Sequence, residues 1–277
     1  MCKTKELFEF IRERHSIYLK KTAGLPKPWT KDHVLRAYRF CNVYRELDTQ
    51  TRWLSGMWGS RYGTDTDYWF ACVVYRLTNW HETAKDLGYP VPWNKKHFIY
   101  TLNKRKVTGQ KVYSGAYTIS TNGVAMEKHL YLANKLDIIW KNREKIRYRK
   151  GEKLQDFYER LMNYDCMGSF LAAQVVADMK FFGDAKKAAD WWTFVAPGPG
   201  SERGLNRVLC QPKDQPWRTA AWLTKLAELH DAISPMCVKH NMPKLSAQDL
   251  QNCLCEFDKY QRVLLGEGRP RSTYEGV

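Results

Sequence analysis

A mainly α-helical fold is what the sequence predicts, on three observations. Apolar residues recur at three- and four-residue spacing along most of the chain. Gly and Pro cluster in a few short stretches, and one stretch alone, near 111–120, is rich enough in β-formers for a strand. The chain has 277 residues, 44% of them hydrophobic, which supports a real core and excludes a mainly disordered chain. The expectation is a single domain over 1–277, divided into two lobes at most, at about 1–150 and 151–277.

The first helix is predicted over 4–21, from Leu7, Phe8, Ile11, Ile17 and Leu19 among alternating charges. Gly24-Leu25-Pro26-Lys27-Pro28-Trp29 breaks it. Thr30 then stands as an N-cap, and Val34, Leu35, Tyr38 and Cys41 repeat at helical spacing. A longer helix follows Asp65, with Trp69, Cys72, Val73, Arg76, Leu77 and Trp80 on one side, and another covers 94–103. Lys111 to Ile119 is the strand candidate, or else an ordered loop. Helical patterns resume at 124–142, 152–162, 167–181, 184–193, 203–210, 215–232 and 246–263, with loops at 195–201, 211–216 and 234–244.

Charge points to a polyanion. Forty-five Lys and Arg against 29 Asp and Glu give a net +16, and phosphate contacts that release counterions are the simplest use of such a surplus. The alternative is a basic surface that is merely solvated. Residues 141–153 (KNREKIRYRKGEK) carry seven basic side chains around Tyr148, including Arg147, Arg149 and Lys150. Residues 95–111 carry Lys104, Arg105 and Lys106 among others, with no acid. Basic groups with an aromatic between them suit a phosphate backbone and a stacked base; a solvated helix face is the other reading.

No run reaches the ~18 apolar residues of a membrane span, and the charged N-terminus has no signal-peptide core. No membrane association and an intracellular location are therefore expected. The eight cysteines show no zinc-type spacing, so free thiols, no disulfide and no metal are expected. No Walker A loop, serine elbow, H-E-x-x-H or dinucleotide-binding glycine pattern occurs, so no cofactor is expected.

Four further places carry candidate chemistry. In Pro197-Gly198-Pro199-Gly200-Ser201-Glu202-Arg203-Gly204, Gly198 and Gly200 would let amides approach an anion that Arg203 clamps, or else form a rigid turn. Met167-Gly168-Ser169-Phe170 resembles a degenerate helix-hairpin-helix turn, where Gly168 and Ser169 would meet a DNA phosphate. Asp190 follows as a carboxylate with acid–base potential or as an ordinary surface acid, and Asp178 competes for the role. On a helix over 38–48, Arg39, Asn42 and Arg45 would share a face near Asp48, as a recognition surface or as a structural Arg–Asp network. The tail adds Arg269 and Arg271 at a Gly-bounded turn.

Four stretches in order resemble a bacteriophage family: GLPKPWTKDHVLRAYRFCNVYRELDTQTRWL, GSFLAAQVVADM, APGPGSERGLNR and LCEFDKYQRVLLGEGRPR. That family is linked to thymine hypermodification in phage DNA. It includes the helical domain associated with 5-hydroxymethyl-deoxyuridine DNA kinase and the alpha-glutamyl/putrescinyl-thymine pyrophosphorylases, described as amino acid:DNA transferases. The resemblance implies a helix-hairpin-helix fold similar to DNA glycosylases and base flipping. It also implies a transferase that displaces phosphate or pyrophosphate from activated 5-hydroxymethyl-uracil with an amine or amino acid.

Under it Asp190 would be the general base, with Asp178 and Asp48 in reserve. Arg203, Gly198, Gly200 and Asn206 would hold pyrophosphate, and Arg39, Asn42 and Arg45 the base or phosphate. The implied partners are double-stranded DNA carrying the activated base, a free amine, and a DNA base kinase working alongside, in the cytoplasm of an infected host. The alternatives are a non-catalytic DNA-binding partner of that kinase and a glycosylase acting on a modified base.

Overall fold

The computed structural model describes residues 1–115, 119–270 and 273–274. The described residues are helical and include no strand; one isolated antiparallel bridge joins Tyr38 to Thr273. The chain divides into two compact units, Met1–Asp48 with Val195–Val277, and Thr49–Phe194. This differs from lobes at 1–150 and 151–277. The first unit is made from both ends of the chain, because α1 (Thr4–Thr22) and α2 (His33–Ala37) pack with the last three helices. The second unit holds α3 (Thr49–Leu54), α4 (Ser60–Tyr62), α5 (Tyr68–Thr78), α6 (His81–Leu87), α7 (Lys95–Val107), α8 (Lys128–Lys141), α9 (Arg143–Ile146), α10 (Leu154–Met162) and α11 (Ser169–Met179). The chain then returns to the first unit with α12 (Pro199–Leu209), α13 (Thr219–Lys239) and α14 (Ala247–Leu264).

In the first unit α1 buries Leu7, Phe8, Ile11 and Ile17 as expected, and Phe10 with them, while Leu19 is exposed; Glu6 stands in its first turn and Lys20 and Lys21 in its last. The buried residues join Trp222, Leu229, Leu250, Leu254 and Phe257 in one core, where each large side chain contributes about 1.5–3 kcal/mol. Helices α12 and α14 touch backbone to backbone. A Cβ on Gly204 would stand 2.1 Å from the Leu254 carbonyl oxygen, and one on Gly200 2.5 Å from Cys255 Sγ. Helix α13 continues through Pro235 to Lys239, so most of the loop expected at 234–244 is helix.

Three further expectations are overturned in this unit. The N-cap of α2 is Asp32, whose carboxylate accepts from the Leu35 amide at 2.8 Å; Thr30 accepts from Asp32 instead. The helix stops at Ala37, and 38–44 runs without helix to a short turn at Arg45–Leu47. Carboxylates take its amides: Glu256 that of Cys41, Asp48 that of Asn42 and Asp249 that of Arg45, each at 3.0 Å. Finally, Cys2 and Cys210 form a disulfide where none was expected, their Cα atoms 6.0 Å apart. The Lys3 amide donates to the Val208 carbonyl at 2.9 Å and brings the start of α1 to the end of α12.

The second unit is built around α5, every residue of which is buried, and which packs against α11 and α8. Its apolar side therefore extends all round, wider than the stripe read from sequence. Arg76 of α5 meets Asp178 of α11 at 2.5 and 2.6 Å, with the Thr51 hydroxyl and Asn79 completing the network. The helix expected at 184–193 is a single 3-10 turn, Gly183–Lys187, followed by turns. Near 111–120 the described residues form an irregular loop, with residues 116–118 outside the description.

Candidate nucleic-acid interface

Helix α10 begins at Leu154 after Lys153, which offers no side-chain cap. Asp190 supplies one from 35 residues away: its Oδ1 accepts from the Leu154 amide at 2.8 Å and its Oδ2 from the Gln155 amide at 3.0 Å. A carboxylate there satisfies two orphan donors and meets the positive end of the helix. The bond also ties two loops together, 147–153 and 183–192.

The first loop turns at Gly151, where φ is +82° and a side chain would be strained. Glu152 accepts from the Arg149 amide at 2.7 Å and from Arg160 at 2.5 Å, while Tyr148 donates to the Glu152 carbonyl at 2.6 Å. Burial pushes the Tyr148 phenol up to about 12, with Glu152 and Asp190 adding to it. That leaves Arg149, Lys150 and Lys153 exposed, and Lys186 and Lys187 exposed on the second loop. Among the described residues none of these five is in an ion pair, while the exposed acids beside them are Asp156 and Asp184. Trp191 is fixed behind the second loop by its Nε1 donating to the Lys180 carbonyl at 2.7 Å, and Trp192 beside it is half exposed.

Other expected contacts are spoken for. Arg147 pairs with Glu144 at 2.5 Å and with Asp67 at 3.3 Å. Arg105 is buried against the Lys111 and Glu82 carbonyls and Asp86. Lys106 pairs with Glu127 at 2.7 Å, so Lys104 is the exposed member of that trio without an ion pair among the described residues. Gly168 and Ser169 do stand exposed at the start of α11, yet a Cβ on Gly168 would meet nothing.

Asp178, as noted, is closed on Arg76, and it is 1% exposed. In the first unit Gly198 caps α12 and Gly200 faces Cys255, so the glycines there serve helix packing. Arg203 lies 3.0 Å from Asp258, and Asn206 is fully buried, its amide holding the Lys213 and Gln215 carbonyls and the Trp217 indole. Arg39, Asn42 and Arg45 share no helical face. Asn42 donates to the Leu47 carbonyl at 2.7 Å, Arg45 lies 3.8 Å from Asp48, and Arg39 is exposed over the Tyr274 ring. Arg269 is exposed and Arg271 lies outside the described residues. Sequence reasoning missed Lys186 and Lys187, although the Lys-Lys pair was in view; what it lacked was the Asp190 bond that brings them to the other loop.

Fold and surface together define a helical protein whose second unit presents a basic edge. The chain matches the family model of the 5-hmdU DNA kinase helical domain over residues 3–269, and it belongs to that family. It is 24% identical over 226 residues to the 5-hmdU DNA kinase of Bacillus phage SP10, a stretch covering 71% of this chain and 34% of that protein. The chain thus spans about a third of the length of this curated relative. No solved structure matches it. Among the described residues no helix is long and apolar enough to cross a membrane, and no three His, Cys, Asp or Glu are grouped to hold a metal.

Proposed function

We propose that this chain is a DNA-engaging helical module for the modification of 5-hydroxymethyl-uracil in DNA, and that it grips the backbone with the basic edge of the second unit. The observation that carries this reading is the pair of loops joined by Asp190, with Arg149, Lys150, Lys153, Lys186 and Lys187 exposed on them. The family supplies the modified base, and the basic edge supplies the phosphate contacts. The test is affinity for duplex DNA against salt. The log–log slope is expected to be steep, and to flatten by about 0.9 for each phosphate contact removed in Lys150→Ala and Lys186→Ala. A salt-independent affinity, or one that both variants leave unchanged, overturns it.

The four ordered motifs of the sequence favour a finer reading, a transferase in which an amine forms a C–N bond to the 5-methylene of the base while phosphate or pyrophosphate leaves. Asp190 is the proposed base for the ammonium proton, and must release the α10 amides to accept it. Nucleoside mass spectrometry separates the readings, using 5-hydroxymethyl-uracil DNA treated with a DNA base kinase and ATP, then with this protein and pooled amines. A new thymidine adduct supports the transferase. Abasic sites make the protein a glycosylase, and unchanged nucleosides with tight binding leave the DNA-engaging module alone.

A further inference from the structure

A second charged feature lies wholly within the first unit, where α12 and α14 run backbone to backbone at Gly204 and Leu254. Arg203 and Arg207 stand one turn apart on α12, and Arg262 stands one turn beyond Asp258 on α14. The close approach of the helices brings all three arginines to that one carboxylate. The Asp258 side chain is 1% exposed, whereas those of Arg203 and Arg262 are 34% and 39% exposed.

How the arginines divide Asp258 decides what is left over. Arg207 takes Oδ1 through its Nε at 2.8 Å, and its Nη2 donates to Glu267. Arg203 and Arg262 both turn Nε to the other oxygen, Oδ2, at 3.0 and 3.5 Å. Two guanidiniums on one oxygen stand side by side. Each is engaged through Nε, so its Nη groups, which make no hydrogen bond among the described residues, remain for another acceptor. Arg262 Nε is itself buried without a hydrogen-bond partner. The cluster is short of acceptors.

Charge is unbalanced in the same direction. Lys213 lies 3.5 Å from Glu267, which Arg207 already holds. Glu202 neighbours Arg203 in the chain but pairs with none of the arginines, and Glu256 is matched by Lys259 at 2.5 Å. Arg203, Arg207, Arg262 and Lys213 therefore outnumber the carboxylates that face them among the described residues. A lone exposed arginine commits nothing. Two that a buried oxygen already holds in register lose less freedom when they close on a ligand. A carboxylate fills one guanidinium fork, while the oxygens of a phosphate group span two forks set side by side.

We propose that Arg203 and Arg262 form a phosphate clamp in the first unit. The phosphate belongs either to a free phosphate compound or to a DNA strand. An arginine from α14, rather than the amides of Gly198 and Gly200, is what completes the anion site with Arg203. The inference does not rest on the basic edge of the second unit.

The test titrates the full chain by calorimetry with inorganic phosphate and with pyrophosphate. In parallel, fluorescence anisotropy follows a labelled single-stranded oligonucleotide. Arg203→Ala with Arg262→Ala should weaken binding of the free anion about 10–150-fold, the range for one lost hydrogen bond to a charged group. For the oligonucleotide the same variant should flatten the log–log salt slope by about 0.7 per phosphate contact removed. Lys5→Ala with Lys239→Ala removes as much charge from exposed positions of the same unit and should leave either affinity within about twofold.

Arg207 stays on Asp258 in the alanine variant, so the unit should remain folded. If it does not, Arg203→Lys with Arg262→Lys carries the test: it keeps the charge at Asp258, loses the planar forks and should weaken binding too. Weakened binding of phosphate or pyrophosphate identifies a free phosphate compound, and weakening confined to the oligonucleotide identifies the strand. Either supports the clamp. It is overturned if the arginine variants weaken the binding of no probe, or if the Lys5/Lys239 variant weakens it equally. Duplex affinity of Lys150→Ala and Lys186→Ala reports separately on the second unit, so either reading can fail alone.

Discussion

In the second unit one guanidinium closes on one carboxylate. Arg76 and Asp178 are both almost without exposure and form a two-pronged pair sealed by Thr51 and Asn79. In the first unit Asp258 is as deeply buried, but Arg203, Arg207 and Arg262 share it at 3.0, 2.8 and 3.5 Å, and Arg203 and Arg262 reach solvent. The same residue types thus give a neutral, dry pair in one unit and a surplus of positive charge at the surface in the other. A buried carboxylate can therefore be a fixed part of the core or the anchor of a basic surface. The number of arginines around it decides which.

The largest effect should come from breaking the dry pair. Asp178→Ala removes the carboxylate on which the buried Arg76 closes and should cost about 3–5 kcal/mol, read as a lower urea midpoint. Replacing both partners with apolar residues of similar size should recover most of that loss. Unchanged stability with lost activity would make Asp178 a chemical group after all.

Next is the disulfide, which belongs to the first unit alone. Cys2→Ser should lower that unit's stability by about 2–4 kcal/mol. Hydrogen exchange should quicken around α1 and α12 and stay unchanged in α5 and α11. Equal exchange under oxidising and reducing conditions would show that the link contributes nothing.

The cap at α10 comes third. Asp190→Ala removes the acceptor of two helix amides and should cost about 0.5–2 kcal/mol, with faster exchange at Leu154 and Gln155. If the loops grip DNA as proposed, it should also loosen them from each other and weaken DNA binding without altering their exposed Lys and Arg side chains. In the first unit Arg203→Ala removes an arginine that is a third exposed and leaves Asp258 two others, so its cost should stay below about 1 kcal/mol. A loss as large as that of Asp178→Ala would erase the contrast between the units.

What was legible in the sequence follows the range of each interaction. Helices α1, α7, α8, α10 and α14 depend on spacing within a few turns, and they fall within a few residues of their expected limits. The segment 38–48 has helical spacing too, but acceptors at Asp249 and Glu256, more than 200 residues away, compete for its amides. Gly198 and Gly200 read as an anion loop because composition cannot distinguish an amide that faces a ligand from a glycine that lets α14 approach. The role of Asp190 was hidden for the same reason. A carboxylate that caps a helix 35 residues upstream looks, in sequence, like any acid.

The smallest effect is a pH dependence that should differ between the units. Burial holds His15, in the first unit, below its ordinary 6.5, and it does the same to His129 in the second, where Glu127 opposes it. His15 lies between the Tyr18 and Tyr44 rings, and its Nδ1 is buried with no hydrogen-bond partner among the described residues. An imidazole that resists protonation when folded leaves the unfolded chain holding more protons as pH drops below 6.5. Its contribution is therefore complete above that value, declines as pH falls through the interval down to the folded value, and levels off below it. Urea midpoints followed by hydrogen exchange at about pH 7.5 and 5.5 should fall further in the first unit than in the second. His15→Phe should flatten the profile of the first unit, because a ring that cannot be protonated keeps its place between the two tyrosines. His129→Phe should change the second less, since it removes an attraction to Glu127 along with the desolvation penalty. A first-unit profile unaltered by His15→Phe would show that His15 does not carry the acid sensitivity of that unit.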